Sequence, residues 1–268
     1  SLAVNEKNFT GNNKGEKFLN VPVSFDIETT SFYRDEDGET YSYERYMKLG
    51  GKETKMEKCS LMYVWQFGIN GFCIIGRTWD EFLQMLSEIV DILELCPKKR
   101  IIIYVHNLAY EFQFFRELLE WEKVFSIDLR KPIYGITKTG LEFRCSYLLS
   151  GYSLAKLGEQ LHTYKCEKLV GDLDYSLLRH SKTPLTQKEI GYCLNDIKVV
   201  MCYIQELLER YKGITRLPIT KTGFVRKYCR SVCFKTTDET GKTIPNYKYI
   251  DKIHSLNITG MEEFAMLQ

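Results

Sequence analysis

Residues 21–30, VPVSFDIETT, decide how the chain is read. Their β-branched and aromatic side chains predict a buried strand that ends on acids. Asp26 and Glu28 are two residues apart, so on a strand they point to the same face. Two like charges there repel each other and both lose hydration. They are either a solvated strand end, with Thr29 or Thr30 capping a turn, or a pair that holds a divalent cation. Hard ions of that kind prefer oxygen ligands.

Working outward, residues 31–58 mix charges, tyrosines and glycines and read as an exposed loop or hairpin. SLMYVWQFGINGFCIIGR (60–77) predicts a β-hairpin turning at Asn70-Gly71. TWDEFLQMLSEIVDILELC (78–96) predicts an amphipathic helix that Thr78 caps, with Phe82, Leu83, Leu86, Ile89 and Leu93 on its apolar face. KRIIIYVHN (99–107) is a second buried strand, running into a helix expected from Ala109 to Lys123. IYGITKTG and LEFRCSYL follow as strands, then a short helix SLAKLGEQL, and after a loop a long helix from Thr186 to Tyr211. Strands alternating with helices predict an α/β fold, a mixed central sheet flanked by helices. The expected division is a polar lead-in over 1–20, one domain over 21–211, and an extension over 212–268.

Hydrophobic residues make up 44% and charged residues 27% of the 268, which supports a packed core and rules out a disordered or fibrous chain. The apolar runs are far shorter than the ~20 residues of a membrane span. Nine cysteines without a regular spacing argue against a disulfide framework, and an intracellular protein is expected. The net charge is only +2, yet Arg210 to Arg230 holds seven basic residues and no acidic one. That run is either solvated surface or a track for phosphates. The four histidines are scattered, and no phosphate-binding glycine loop, nucleophile elbow or zincin motif occurs.

Two further acids stand out. Glu111 precedes Phe114, Phe115 and Leu118 by three, four and seven residues, which puts it on the apolar stripe of its helix. It either meets the macrodipole in the first turn or joins a buried site. Asp196 follows Tyr192 by four and precedes Val199 by three, within the stripe of the long helix that continues through Val200, Tyr203 and Leu207. An acid in that position needs a partner, either a basic side chain or a metal. A strand pair and one acid on each of two helices make an oxygen-rich set suited to two Mg²⁺ or Mn²⁺ ions and phosphodiester cleavage.

FDIET, with Asp26 and Glu28, resembles the first motif of the DnaQ-like (DEDD) 3′–5′ exonucleases. YVHNLAYEFQF resembles their second motif as it occurs in protein-primed family B DNA polymerases of phages, and YCLNDI resembles the third, through Tyr192 and Asp196. The motifs occur in the family's order, roughly 80 and about 85 residues apart. GDLDY (171–175) and KTGFVRKYCR (221–230) resemble that polymerase branch, and the likeness covers approximately residues 20–235.

The resemblance implies an RNase H-like exonuclease fold and a proofreading 3′–5′ exonuclease in which Asp26, Glu28, Glu111 and Asp196 hold two Mg²⁺ or Mn²⁺ ions. It implies that Tyr192 orients the attacking water. It also implies a grip on a single-stranded DNA 3′ end by Thr29, Tyr104, His106, Asn107, Tyr110, Phe114, Ser146, Tyr147 and Tyr175. Asn107 can alternatively cap the helix that follows it, and Tyr104 and Phe114 can alternatively pack in the core. The family usually has Asp where this chain has Glu111. Val170 lies where some relatives place a lysine that acts on the scissile phosphate, and Lys168 is the nearby substitute. No polymerase signature appears, so the expected setting is the exonuclease domain of a larger polymerase, or a stand-alone relative, in the cytoplasm of a host cell. Expected partners are the polymerase region and a priming terminal protein. A DEDD RNase and a non-catalytic strand-binding domain spoiled at Glu111 are the competing functions.

Overall fold

The structure, a computed structural model, describes residues 4–128, 130–169 and 177–254, without the side chains of 253 and 254. The chain divides into two compact units, Ser1–Ile219 and Thr220–Gln268.

The elements of the first unit, in chain order, are β1 (Phe9–Gly11), β2 (Lys17–Leu19), β3 (Val23–Arg34), β4 (Thr40–Tyr41), α1 (Tyr43–Lys48), β5 (Glu57–Ile69), β6 (Phe72–Gly76), α2 (Trp79–Ile92), β7 (Lys99–Val105), α3 (Leu108–Phe115), β8 (Trp121–Ser126), β9 (Pro132–Thr137), β10 (Leu141–Cys145), α4 (Ser146–Ser150), α5 (Leu154–Glu159) and α6 (Gln187–Tyr211). The second unit holds α7 (Lys221–Cys233), the hairpin β11 (Lys235–Thr237) and β12 (Thr243–Pro245), and α8 (Tyr247–His254).

The main sheet runs β6-β5-β3-β7-β10-β9-β8. β3, β7 and β10 are mutually parallel; β5 and β9 pair antiparallel to β3 and β10, and the edge strands β6 and β8 pair antiparallel to β5 and β9. The expected α/β fold with a mixed sheet flanked by helices is the one found. Alternation along β3 sends Val23, Phe25 and Ile27 into the main core with α2 and α3. There Phe25 stacks on Phe82 at 4.6 Å and meets Phe115 edge-on at 5.7 Å. Ser24, Asp26 and Glu28 therefore take the other face, which α6 crosses.

Local chemistry placed several elements as expected. Asn70 and Gly71 both have positive φ, 47° and 87°, the backbone that a two-residue hairpin turn requires. Thr78 and Thr186 each begin a helix with a reciprocal capping box to Glu81 and Glu189. The lead-in is more ordered than its polarity suggested: β1 and β2 form a hairpin that joins β7, with Val4, Phe18 and Leu19 buried.

The hairpin alternative for residues 31–58 is the one found, since β3 continues to Arg34 and β4 pairs back on it with Tyr41 opposite Tyr33; α1 then packs Tyr46 flat on Tyr33 at 3.6 Å. One expectation is corrected. The helix after Asn107 stops at Phe115 rather than Lys123. Trp121 instead opens β8, lying over Gly135, where an added Cβ would meet the indole at 2.7 Å. Its indole N–H donates to the Arg116 carbonyl at 2.6 Å, and its ring packs on Phe112 at 4.9 Å. That packing overrides good helix formers in 116–123. Phe112, not Phe114, consequently carries the buried stripe, and Leu118 is exposed.

Candidate active site

β3 brings Asp26 and Glu28 to the α6 face, and α6 brings Asp196 over them. One carboxylate oxygen from each of Asp26, Glu28 and Asp196 lies within 4.8 Å of the others. Glu28 and Asp196 are buried, 7% and 6% exposed. β3 and β5 shift register at Glu28/Thr29, so Tyr63 has no partner on β3 there. Bulges of this kind re-aim neighbouring side chains.

Glu111 occupies the first turn of α3 and is 5% exposed. Its carboxyl lies against that of Asp26, close enough for a hydrogen bond when one of them is protonated. It is outside the mutually close set of three.

Burial is the main reason that all four carboxyls titrate above their ordinary range. For Asp26, pushed up to about 7, the charge of Asp196 adds to it; for Glu28, at about 8, the charge of Asp26 does. A raised folded value means that the neutral acid favours the fold, an advantage complete below the ordinary carboxylate pKa near ~4. It disappears as pH rises through about 7 and about 8. The metal-free protein should therefore melt at a lower temperature at pH 8.5 than at pH 5, and Mn²⁺ should restore most of the difference. Differential scanning fluorimetry across that range, with and without Mn²⁺, checks it.

Lys168 approaches Asp196 at 3.4 Å and lies over the Tyr192 ring at 5.5 Å. The loop that carries it is tied to α6, because the Leu169 N–H donates to the Asn195 side-chain oxygen at 2.8 Å. Tyr192 is buried beside Asp196 and hydrogen-bonds to it. Asp196 Oδ1 and Glu111 Oε2 are buried and accept no hydrogen bond among the described residues. Several converging carboxylates with acceptor oxygens unpartnered among protein groups match a hard divalent cation.

The candidate strand-gripping residues surround this cluster at different depths. Tyr110 is exposed, and its hydroxyl is 2.6 Å from Thr29 Oγ1. Phe114 is half-buried, 5.3 Å from Tyr110. Asn107 is the residue before α3, but its side chain makes no capping bond and is exposed, contrary to the capping alternative. Tyr147 is exposed and meets His106 edge-on at 6.0 Å. His106 Nδ1 is 3.1 Å from Ser146 Oγ. Burial, with Lys168 nearby, lowers the His106 pKa to about 4, so the ring is neutral at pH 7. Tyr104 is 1% exposed and Ser146 is fully buried, so neither presents a surface to a strand. Val170, Tyr175 and the GDLDY stretch lie outside the described residues.

One residue escaped the sequence reading. Gln66 of β5, fully buried, donates from Nε2 to Asp26 Oδ2 at 3.1 Å and to Glu28 Oε1 at 3.4 Å. It is a polar side chain in an apolar strand (YVWQFGI), but only the register Asp26↔Gln66 shows what it faces.

With this geometry in hand, similarity to known structures can be stated. The chain shares its fold with part of Phi29 DNA polymerase. It is similar to that protein complexed with primer-template DNA and incoming nucleotides, at 15% identity and a TM-score of 0.54 over 78% of this chain and 34% of that one. The complex with single-stranded DNA aligns at 14% identity and a TM-score of 0.54 over 79% of this chain and 35% of that one. A binary complex with primer-template DNA gives 16% and 0.53 over 81% and 35%. The chain thus spans about a third of the length of these structures. No family model matches it, and no curated protein matches it in sequence. Among the described residues no helix is long and apolar enough to cross a membrane.

Proposed function

We propose that this chain is a metal-dependent 3′–5′ exonuclease acting on single-stranded DNA, the proofreading part of a family B type polymerase. The observation that carries the reading is the convergence of Asp26, Glu28 and Asp196, with Glu111 against Asp26, from β3, α3 and α6. The fold shared with a DNA polymerase supports it.

Asp26, Glu28, Asp196 and Glu111 would hold two Mg²⁺ or Mn²⁺ ions. When bound, such ions lower the pKa of an attacking water and stabilise the leaving 3′-oxygen. Tyr192, which hydrogen-bonds Asp196, directs its hydroxyl at the attacking water. Lys168, beside Asp196, supplies positive charge to the scissile phosphate. Tyr110, Phe114 and Tyr147 provide rings against which terminal bases stack, while Thr29 and Asn107 offer hydrogen bonds to the strand. His106, neutral at pH 7, positions Ser146 and Tyr147 rather than contributing charge. The basic run through α7 is suited to tracking phosphates, and the polymerase region and a priming protein are the proposed partners.

A second reading has its own observation: Glu111 is not in the mutually close set, and Lys168 already pairs with Asp196. That arrangement favours a strand-binding domain without turnover. The test is degradation of a 5′-labelled single-stranded DNA with Mg²⁺, Mn²⁺ or EDTA, beside the same sequence as RNA. A ladder that shortens from the 3′ end, disappears with EDTA and is faster on DNA is the expected result. Intact strands under both metals, with binding retained, would establish the second reading.

A further inference from the structure

We infer that Gln66 is a positioning residue, a neutral clamp that holds Asp26 and Glu28 at the separation a divalent cation needs. The inference deepens the metal-site reading above and rests on it. Asp26 and Glu28 share one face of β3, where two like charges repel each other, and the Ile27 backbone N–H of the same strand donates to Asp26. Gln66 stands directly across from Asp26 and diagonally from Glu28, within reach of a long side chain. An amide nitrogen has two hydrogens, and here one is directed at each carboxylate, at 3.1 and 3.4 Å. The reverse orientation would press the amide oxygen against two carboxylates, so the neighbours fix which end donates.

The surroundings give this contact weight. Gln66 is fully buried, and its own oxygen has no hydrogen-bond partner among the described residues. Its neighbours on that face of β5 are Val64 and Gly68, and over Gly68 lie Met201 and Ile197 of α6, so tightly that a Cβ would meet Met201 at 2.6 Å. An apolar side chain would suit this environment better than an amide with an unpaired oxygen. What the amide alone provides is a donor for both carboxylates at once, leaving their remaining lone pairs for a cation. Groups that orient metal ligands in this way typically account for about 10–100-fold in affinity.

The test is calorimetric titration of the full chain, freed of metal, with Mn²⁺. Gln66→Met keeps the volume and removes the donor. The expected result is a folded variant, judged by circular dichroism, whose Mn²⁺ affinity is about 10–100-fold weaker. Its kcat on single-stranded DNA should fall while KM for the strand stays the same. A folded variant binding Mn²⁺ within about twofold of the natural protein would overturn the inference, since metal ligation would then not need the clamp. Should Gln66→Met not fold, the side-chain amide resonance of Gln66 in the natural protein decides. A shift that follows Mg²⁺ with the same midpoint as a parallel calorimetric titration with Mg²⁺ supports the clamp, and a resonance that does not move overturns it. No Mn²⁺ binding by the natural protein would remove the metal reading itself, an outcome separate from failure at Gln66 alone.

Discussion

Asp196→Asn should lower kcat/KM for 3′-terminal cleavage by more than about 100-fold, at least ~2.7 kcal/mol of transition-state stabilisation. The lower bound follows from the residue's position. A side chain that merely supports a metal ligand costs up to about 100-fold when removed, and Asp196 is one of the three carboxylates that converge directly. The substitution keeps the shape and removes the charge, so it also deprives Lys168 of its ionic partner at 3.4 Å, while the amide oxygen can still accept from Tyr192. The fold should survive, because Asn relieves a charge whose burial is unfavourable. The check is single-turnover cleavage of labelled DNA in Mn²⁺ with a parallel denaturation curve. Cleavage within tenfold of the natural protein would place the chemistry elsewhere.

Phe25→Ala should have the opposite profile, destabilising the fold by about 3–5 kcal/mol while leaving the carboxylates in place. Phe25 is fully buried at the centre of the aromatic cluster, between Phe82 of α2 and Phe115 of α3. No neighbour can move into the space, since both rings are pinned by further contacts, Phe82 by Trp65 and Phe115 by Phe143. Urea denaturation followed by tryptophan fluorescence measures the loss. A cost below about 1 kcal/mol would mean that the cluster relaxes into the cavity. At temperatures where the variant stays folded, its cleavage rate should be close to that of the natural protein, which separates packing from chemistry.

Much of this was legible in the sequence because the signals are local. An Asn-Gly turn, the threonine cap at Thr78 and the alternation of FDIET each depend on a few neighbouring residues, and each produced the element expected. Glu111 and Asp196 were found by the same means, as acids on apolar stripes, and both are buried. The failures were non-local. Residues 116–123 favour a helix on their own, and only the fit of Trp121 over Gly135 draws them into β8. Gln66 looked like one polar residue in an apolar strand until the β3–β5 register set it opposite Asp26. Tyr104 read as either a contact for a strand or a core residue and is buried, a choice that alternation along a fully covered strand could not make.

The site's two halves are far apart in the chain, Asp26 on β3 and Asp196 on α6, and this orders events in time. Contacts between distant segments form only after the loops between them close, which is slow. The carboxylates are thus expected to come together when α6 docks, late in folding, and their mutual repulsion should burden the native state more than the transition state. A cation that binds only the assembled cluster would then act chiefly on escape from the native state, prolonging its lifetime while scarcely changing how fast it is reached.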